Sequence, residues 1–232
     1  FSVKANGWND LLVEVSLPQF EVRGLKGWGF NVKHAVLDLS DSRNAPNIQF
    51  PKDYSEVLIR GERNLWRGFY AKEISVMLPK GIENTKTSDK RVQFGTKDLI
   101  LDDQGVSGTF FGEDILKIGE GSAGKWAFTI ADVSISLSRN SLTGGKIGGD
   151  IAVPIFEKPM DYAGYIQQDG YGLEVGLNST YKTPVFLGEM KLDRNSSVAI
   201  DVKDGQVYPS ANLSGKLSIV GKISQKEGEE QP

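Results

Sequence analysis

Apolar and polar residues alternate along most of this chain. The alternation is clear over residues 11–17 and again over 198–202. A period of two is typical of β-strands that have one buried and one solvated face. Helical periodicity is nearly missing, and the best candidate for a short helix is 112–117, where two acidic residues precede Ile115 and Leu116. The pattern therefore predicts an all-β fold with at most one or two short helices.

Turn dipeptides separate the alternating stretches. Asp204-Gly205 lies inside 198–208 and Asp169-Gly170 lies inside 162–173. An Asp-Gly pair between two alternating runs favours a tight hairpin, because glycine accepts the positive φ that such turns need. We expect a β-hairpin at each of these two places.

Four segments share one pattern, and they begin at Phe30, Phe69, Phe94 and Phe128. In each segment the alternation skips one residue and resumes on the opposite parity. The skips run from Val32 to Ala35, from Ala71 to Ile74, from Thr96 to Leu99, and from Ile130 to Val133. An extra residue at a β-bulge keeps both halves of a strand facing the same way. We therefore expect long bulged antiparallel strands, in a layered or irregular repeat array, with the four Phe side chains on one apolar layer.

The domain organisation follows from the length and the repeat. We expect one all-β domain over 1–225, with two sub-repeats at about 1–120 and 121–225 as an alternative, and a polar tail over 226–232. The chain begins with Phe1 rather than Met, which favours a processed product or an excised fragment. The ends of such a repeat fragment are expected to pair with other segments of the parent protein or with assembly subunits.

Composition excludes several classes of function. The 232 residues include 27 basic and 30 acidic side chains, giving a net charge of −3, so a nucleic-acid partner is not expected. Cysteine is absent, which removes disulfides, thiolate metal sites and Cys nucleophiles. No stretch approaches the roughly 18 apolar residues of a transmembrane segment. Nothing in the composition calls for a cofactor.

Few residues carry candidate chemistry. His34 is the only histidine, and it occupies a polar position beside a skip where the other copies have Glu or Asp, so we interpret it as structural. Asp38, Asp41 and Asn44 form a loose oxygen cluster, the one weak calcium candidate, although turn formation explains it better. No catalytic residues are predicted, and we expect the protein not to be an enzyme.

Aromatic residues provide the candidate ligand-binding positions. Trp8 and Trp66 fall outside the alternation and are freer to be exposed, while Tyr162, Tyr165 and Tyr171 gather around the second predicted hairpin. Exposed rings beside carboxylates would fit a glycan-binding module or a carboxylate-based glycoside hydrolase. Packing in a core or an interface is the simpler interpretation.

Three segments carry a resemblance: WRGFYAKEISVMLP over 66–79, LILDDQGVSG over 99–108 and WAFTIADVSISL over 126–137. They resemble β-rich repeat segments of large uncharacterised Bacteroidetes-type proteins, some of them associated with extracellular contractile, phage-tail-like injection systems. The resemblance implies a component or cargo of such a particle, with an extracellular or particle-bound location, and transfers no functional residues.

Three functions remain as hypotheses. The leading one is a non-enzymatic structural or interaction β module of a larger bacterial assembly or secreted protein. The glycan-binding or glycosidase hypothesis is the first alternative. The second alternative is a lipid-binding β groove, in which long bent strands turn their apolar side chains to one side.

Overall fold

The computed structural model describes residues 1–7, 10–40, 42, 47–58, 61–80, 91–123, 125–154, 158–186 and 188–219. The strands are β1 Ser2–Gly7, β2 Asp10–Phe20, β3 Gly29–Asp38, β4 Gly68–Met77, β5 Gln93–Asp102, β6 Gly105–Ala123, β7 Trp126–Ser138, β8 Ser141–Ala152, β9 Met160–Gln167, β10 Gly170–Gly176, β11 Tyr181–Val185, β12 Gly188–Leu192, β13 Ser197–Lys203, β14 Gln206–Asn212 and β15 Gly215–Ile219. Two short 3-10 helices, Lys52–Glu56 and Arg63–Leu65, are described as well. The predicted all-β class is confirmed.

The strands form an antiparallel meander. Twelve of them lie in one sheet, in the order β1 to β10 followed by β13 and β14, and each pairs with its neighbours in that order. A smaller sheet has the order β11-β12-β15. It prolongs the last three strands of the large sheet, and hydrogen bonds such as Leu177 N–H to Ser196 O and Asp193 N–H to Ser214 O, both 2.9 Å or shorter, link the strand ends at the interruption.

Predicted bulges occur at the skips of β3, β5 and β7, whereas β4 pairs with β3 and β5 without a shift of register. His34 and Asp98 have φ of 44° and 50°, and the strand pairing shifts by one residue beside each of them. β4 lies between these two strands and pairs Ala71 with Ala35 and with Leu99, so the skips of the three strands line up. The predicted helix over 112–117 is wrong: these residues belong to β6, and Asp114 (φ 53°) marks another bulge. Pairing with β7, and with β5 at residues 112 and 113, outweighs the weak local preference for helix.

All four repeat Phe residues lie on one face of the large sheet. Phe30 and Phe94 are both paired with Val76, and Phe69 is paired with Leu37 and Leu101. Ala35, Ala71 and Leu99 form a small buried cluster together with Phe69, Val32, Ile74 and Val106, which shows that the apolar positions before and after the bulges share a side. Phe128 is paired with Ile151, whose strand carries the same face onward. We call this side the apolar face and the opposite side the polar face.

The main buried core lies on the other side of the sheet, beneath residues 47–58 and 61–67, which we call the covering segment. Tyr54 and Trp66 of this segment pack with Val36, Tyr70 and Ile100 of the sheet. Val36, Tyr70 and Ile100 are fully buried. The covering segment therefore shields part of the polar face.

Both predicted hairpins are present. Asp204 and Gly205 connect β13 to β14 with φ of 51° and 73°, as the turn chemistry predicted. The β9–β10 hairpin turns one residue earlier than expected, because Gly170 already pairs with Gln167. The large sheet passes through both proposed sub-repeats, and the 120/121 boundary would fall inside β6; the predicted tail over 226–232 lies outside the described residues. Within the described part of the chain, no helix has the length and apolar character needed to cross a bilayer.

Candidate functional site: the apolar face of the large sheet

The apolar face exposes many large hydrophobic side chains to solvent. Each of the following is at least 36% exposed: Val3, Leu17, Leu37, Phe94, Leu101, Phe110, Ile135, Leu142, Ile147, Ile166, Tyr171, Leu173, Val198, Ile200 and Val207. A fully exposed large apolar side chain presents somewhat more than 100 Å² to solvent, so the exposed area of these partly exposed side chains together is on the order of 1,000 Å². The largest apolar patch on a typical monomer covers about 300–600 Å². The size of this face therefore calls for a functional explanation.

Strand pairing aligns these residues in rows that cross the sheet. One row runs through Ile147, Gly164, Leu173, Ile200 and Pro209, from β8 to β14. Gly164 leaves a notch in this row, because a Cβ placed on it would lie 2.9 Å from Ile147 Cγ2 and 3.8 Å from Leu173 Cδ1. The missing side chain helps form a shallow trough of about 480 Å³ between its neighbours.

Hydrogen-bonding side chains are scarce on this face. Between β8 and β14, the pairing places only tyrosine hydroxyls among the aliphatic residues and glycines, at Tyr162 and Tyr171. The Tyr162 hydroxyl is already engaged, since it donates to the Thr129 carbonyl at 2.7 Å. The backbone groups are used in the strand ladders. A molecule bound here would therefore contact hydrocarbon almost alone.

The polar face has the opposite character. Glu73 accepts hydrogen bonds from Asn31 and Lys33 at 2.9 and 2.8 Å, and Lys97 lies 3.8 Å from Glu113. These groups come from neighbouring strands and neutralise one another, as expected of a solvated surface.

Two carboxylates on this face lie directly opposite each other. Asp150 and Asp161 are register partners on β8 and β9. Burial raises the pKa of Asp150, and its hydrogen bond to Asp161 together with the charge of that residue raises it further. The two carboxyl groups thus form a like-charge pair across neighbouring strands.

The expectation that Trp66 is exposed is wrong. Its side chain is buried in the core, and its indole Nε1–H donates to Asp102 Oδ2 at 2.7 Å. The Tyr54 hydroxyl donates to the same oxygen at 2.5 Å. Trp66 therefore fixes the covering segment to the end of β5 and offers no surface to a sugar. Trp8 lies outside the described residues.

The predicted tyrosine group is divided between the two faces. Tyr165 is half-buried on the polar face and hydrogen-bonds to Asp201, whereas Tyr171 is 57% exposed on the apolar face. Tyr162 reaches the Thr129 carbonyl. The three tyrosines are therefore neighbours on the β9–β10 hairpin, but their rings do not surround one ligand position.

The remaining predicted positions have local partners. Asp38 is fully buried and its Oδ1 accepts the Ser40 N–H at 2.9 Å, which is turn chemistry, while Asp41 and Asn44 lie outside the described residues. The described residues contain no group of three or more His, Cys, Asp or Glu side chains suited to a metal ion. His34 packs its ring against Tyr70, with 6.0 Å between the centroids.

The residues that matter most were not singled out by sequence reasoning. Ile166, Leu173 and Ile200 were visible only as members of alternating runs. Alternation shows that a strand has an apolar side, but it does not show whether that side is covered. The number of alternating segments gave one indication. The chain has many strands with an apolar side, but little helix or second sheet that could pack over them.

Comparisons with known proteins add no relative: no family model, curated protein or solved structure matches this chain. The resemblance to repeat segments of Bacteroidetes-type proteins therefore stays a prediction.

Proposed function

We propose that this chain is a non-enzymatic β scaffold that binds the acyl chains of lipids along the apolar face of its large sheet. The single observation that carries the proposal is an apolar surface that continues across twelve strands and is more than one-third exposed at fifteen large side chains. This function joins the expected interaction module with the lipid-binding groove.

The chemistry of the face favours hydrocarbon over protein. Protein interfaces form about one hydrogen bond per 100–200 Å², so a face of this size would need several donors and acceptors. Between β8 and β14 the face offers only the hydroxyls of Tyr162 and Tyr171, and the Tyr162 hydroxyl already donates to Thr129. Acyl chains need no hydrogen bonds, and burying apolar area stabilises their binding by about 25 cal/mol per Å².

The two faces of the sheet suit different surroundings, the polar face water and the apolar face hydrocarbon. Charged pairs such as Lys33 with Glu73 keep the polar face compatible with water. The bulge residue Asp98 supports this difference between the faces. It accepts a hydrogen bond from the Tyr70 hydroxyl at 2.9 Å, on the side of the sheet that holds the main core. Polar groups at the bends are thereby kept away from the apolar face.

A binding experiment with a fluorescent fatty acid tests the proposal. The variant Leu173→Glu/Ile200→Glu places two charges on the apolar face, and Glu174→Gln/Ser210→Glu changes the polar face at β10 and β14. We expect the wild type and the polar-face variant to bind the probe, and the apolar-face variant to bind roughly tenfold more weakly or not at all. Circular dichroism checks that all three proteins are folded.

Lipid extraction from the purified protein, followed by mass spectrometry, gives a second measurement. Acyl lipids in stoichiometric amounts are the expected result. A wild-type protein that neither retains lipid nor binds the fatty acid, or an apolar-face variant that binds as the wild type does, would contradict the proposal.

A second candidate function, membership of a larger assembly, is favoured by the sheet edges. In the described part of the chain β1 pairs only with β2, so its other edge is open to a further strand. β14 carries Pro209, which has no N–H to donate and makes that edge a poorer template. Light scattering of the wild type and of Val3→Pro tests this: assembly that Val3→Pro abolishes supports it, and a wild type that stays monomeric at high concentration contradicts it.

A further inference from the structure

The β11–β12 hairpin presents an aromatic side chain at its tip. Phe186 follows β11 and is completely exposed, at 104% of its reference area. The hairpin closes between Val185 and Gly188, and Phe186 lies in its turn. A fully exposed Phe makes no packing contact that would explain its presence.

The backbone makes this choice of residue more unusual. Phe186 has φ of 51°, in the left-handed region that favours Gly, Asn and Asp. The β13–β14 hairpin meets the same demand with Asp204 and Gly205. A bulky aromatic at such a position is a backbone outlier, and outliers of this kind gather where function requires them.

Three lysines lie behind the tip in one row. Lys182, Lys191 and Lys216 are direct register partners across β11, β12 and β15, so they project from the same face of the small sheet. Like charges placed directly opposite one another are destabilising. Glu189 is the one acidic residue in these three strands, and it lies 3.9 Å from Lys182, with both side chains about 60% exposed. The row therefore keeps an excess of positive charge.

The spacing between tip and lysines suits a bilayer interface. Lys182 precedes Phe186 by four residues, or about 13 Å along a strand. Amphipathic elements bury their apolar groups about 5–10 Å into the boundary between headgroups and acyl chains. With Phe186 at that depth, long lysine side chains reach back to the level of the phosphates.

We propose that the β11–β12 hairpin docks on membranes that contain anionic phospholipids, with Phe186 entering the interface and Lys182, Lys191 and Lys216 contacting the headgroup phosphates. The opposite side of the small sheet is apolar and exposed at Leu217 and Ile219, at 58% and 71%. This docking goes beyond acyl-chain binding and rests on different residues, so either property can hold without the other.

Vesicle flotation with the full chain tests the docking. The vesicles are phosphatidylcholine alone or phosphatidylcholine mixed with phosphatidylglycerol. Two variants probe the hairpin, Phe186→Asn and the triple change of Lys182, Lys191 and Lys216 to Gln. The matched controls are Tyr208→Asn, an exposed aromatic on β14, and the triple change of Lys4, Lys146 and Lys203 to Gln, which removes the same charge elsewhere.

We expect the wild type to float with the anionic vesicles and to be released by high salt. Each lysine near an anionic surface increases binding about fivefold, so the hairpin triple variant should lose roughly 100-fold. Phe186→Asn should lose about tenfold on anionic vesicles, since burial of a Phe side chain contributes that much or more. Both controls should bind as the wild type does.

The outcomes separate this proposal from acyl-chain binding. Hairpin variants that bind fatty acid normally but fail to float support the docking. Flotation that survives in both hairpin variants, or that is lost equally in the controls, overturns it. Flotation that depends on Leu173 and Ile200 instead overturns it as well, and leaves acyl-chain binding standing.

Discussion

Ile100 and Leu101 are neighbours on β5, yet Ile100 is fully buried beneath the covering segment whereas Leu101 is 40% exposed on the apolar face. We expect Ile100→Ala to lower the free energy of unfolding by about 2–5 kcal/mol, because it leaves a cavity in the core. Leu101→Ala should cost less than about 1 kcal/mol, since its side chain is already partly exposed to water and its removal leaves no enclosed cavity. Urea denaturation measures both. Equal losses would indicate that the apolar face is covered in solution.

Asp102 connects the covering segment to the sheet by accepting hydrogen bonds from Tyr54 and Trp66. Replacement by Ala leaves two donors in the core without an acceptor, so we expect a loss of about 2–4 kcal/mol. The covering segment should also become cleavable by trypsin at Arg63. Asp103→Ala, at the exposed neighbouring position, is the control and should change neither property. Unchanged proteolysis of the Asp102 variant would show that this contact does not hold the segment.

The same contact predicts sensitivity to alkaline pH. Burial, followed by the hydrogen bond to Asp102, raises the pKa of Tyr54 well above its ordinary value. The folded state then holds the Tyr54 proton more tightly than the unfolded chain does. Its contribution to stability is complete below the unfolded pKa of about 10 and is lost as the pH rises further.

Thermal unfolding between neutral and strongly alkaline pH measures this effect. Tyr54→Phe should flatten the alkaline decline, and Tyr208→Phe, which changes an exposed tyrosine, should leave it as in the wild type. Tyr70 has a raised pKa for similar reasons, burial first and then Asp98, so part of the decline should persist in Tyr54→Phe. An unchanged decline would show that Tyr54 is accessible to water.

Asp150 and Asp161 predict a dependence of the same sign at low pH, because this contribution to stability also decreases as the pH rises. The raised pKa of Asp150 means that its ionised form is less favourable in the folded state. The native protein should therefore gain stability from this pair as the pH falls through the carboxyl range. At neutral pH, Asp150→Asn should stabilise by about 0.2–1 kcal/mol, the range for removing a like-charge pair across strands.

The gain in Asp150→Asn should disappear at a pH where the wild-type pair holds a proton. Glu174→Gln is the control, because Glu174 is paired with Ala163 and Ala199 rather than with another acid. Chemical denaturation at neutral and acidic pH gives the comparison. Destabilisation of Asp150→Asn at neutral pH would contradict the prediction.

Phe186 predicts opposite effects on stability and on membrane docking. Asn tolerates the left-handed conformation better than Phe does, so Phe186→Asn should raise the free energy of unfolding by up to about 1 kcal/mol. The same variant is the one expected to float poorly with anionic vesicles. Tyr208→Asn relieves no such strain and should not stabilise. A destabilised Phe186→Asn would mean that the ring has a packing role.

Local patterns predicted the features of this fold that local chemistry determines. Asp204-Gly205 formed the expected turn because that pair tolerates positive φ without help from distant residues. The bulge at His34 followed from the change of parity, since only an extra residue keeps Val32 and Ala35 on one face. The short helix over 112–117 failed because pairing with β7, and with β5 at residues 112 and 113, decides that conformation.

Features that depend on distant contacts could not be predicted from the sequence. Trp66 is buried because it packs with Tyr70 and Ile100 in the core, and its indole N–H donates to Asp102, 36 residues further along the chain. Ile166 and Ile200 are exposed because nothing in the described part of the chain packs over them. The alternation within a strand does not show whether another element covers it. The alignment of three lysines requires the register of β15 against β12, which alternation alone does not set.

The meander has a consequence for how such proteins vary. The substantial contacts of each strand are with its immediate sheet neighbours, which in most of the chain are also its neighbours in sequence. A whole hairpin could therefore be added or removed while the remaining strands kept their contacts. Each such step would change the width of the sheet by about 10 Å. Evolution could in this way adjust the capacity for hydrophobic cargo in discrete increments without redesigning the rest of the molecule.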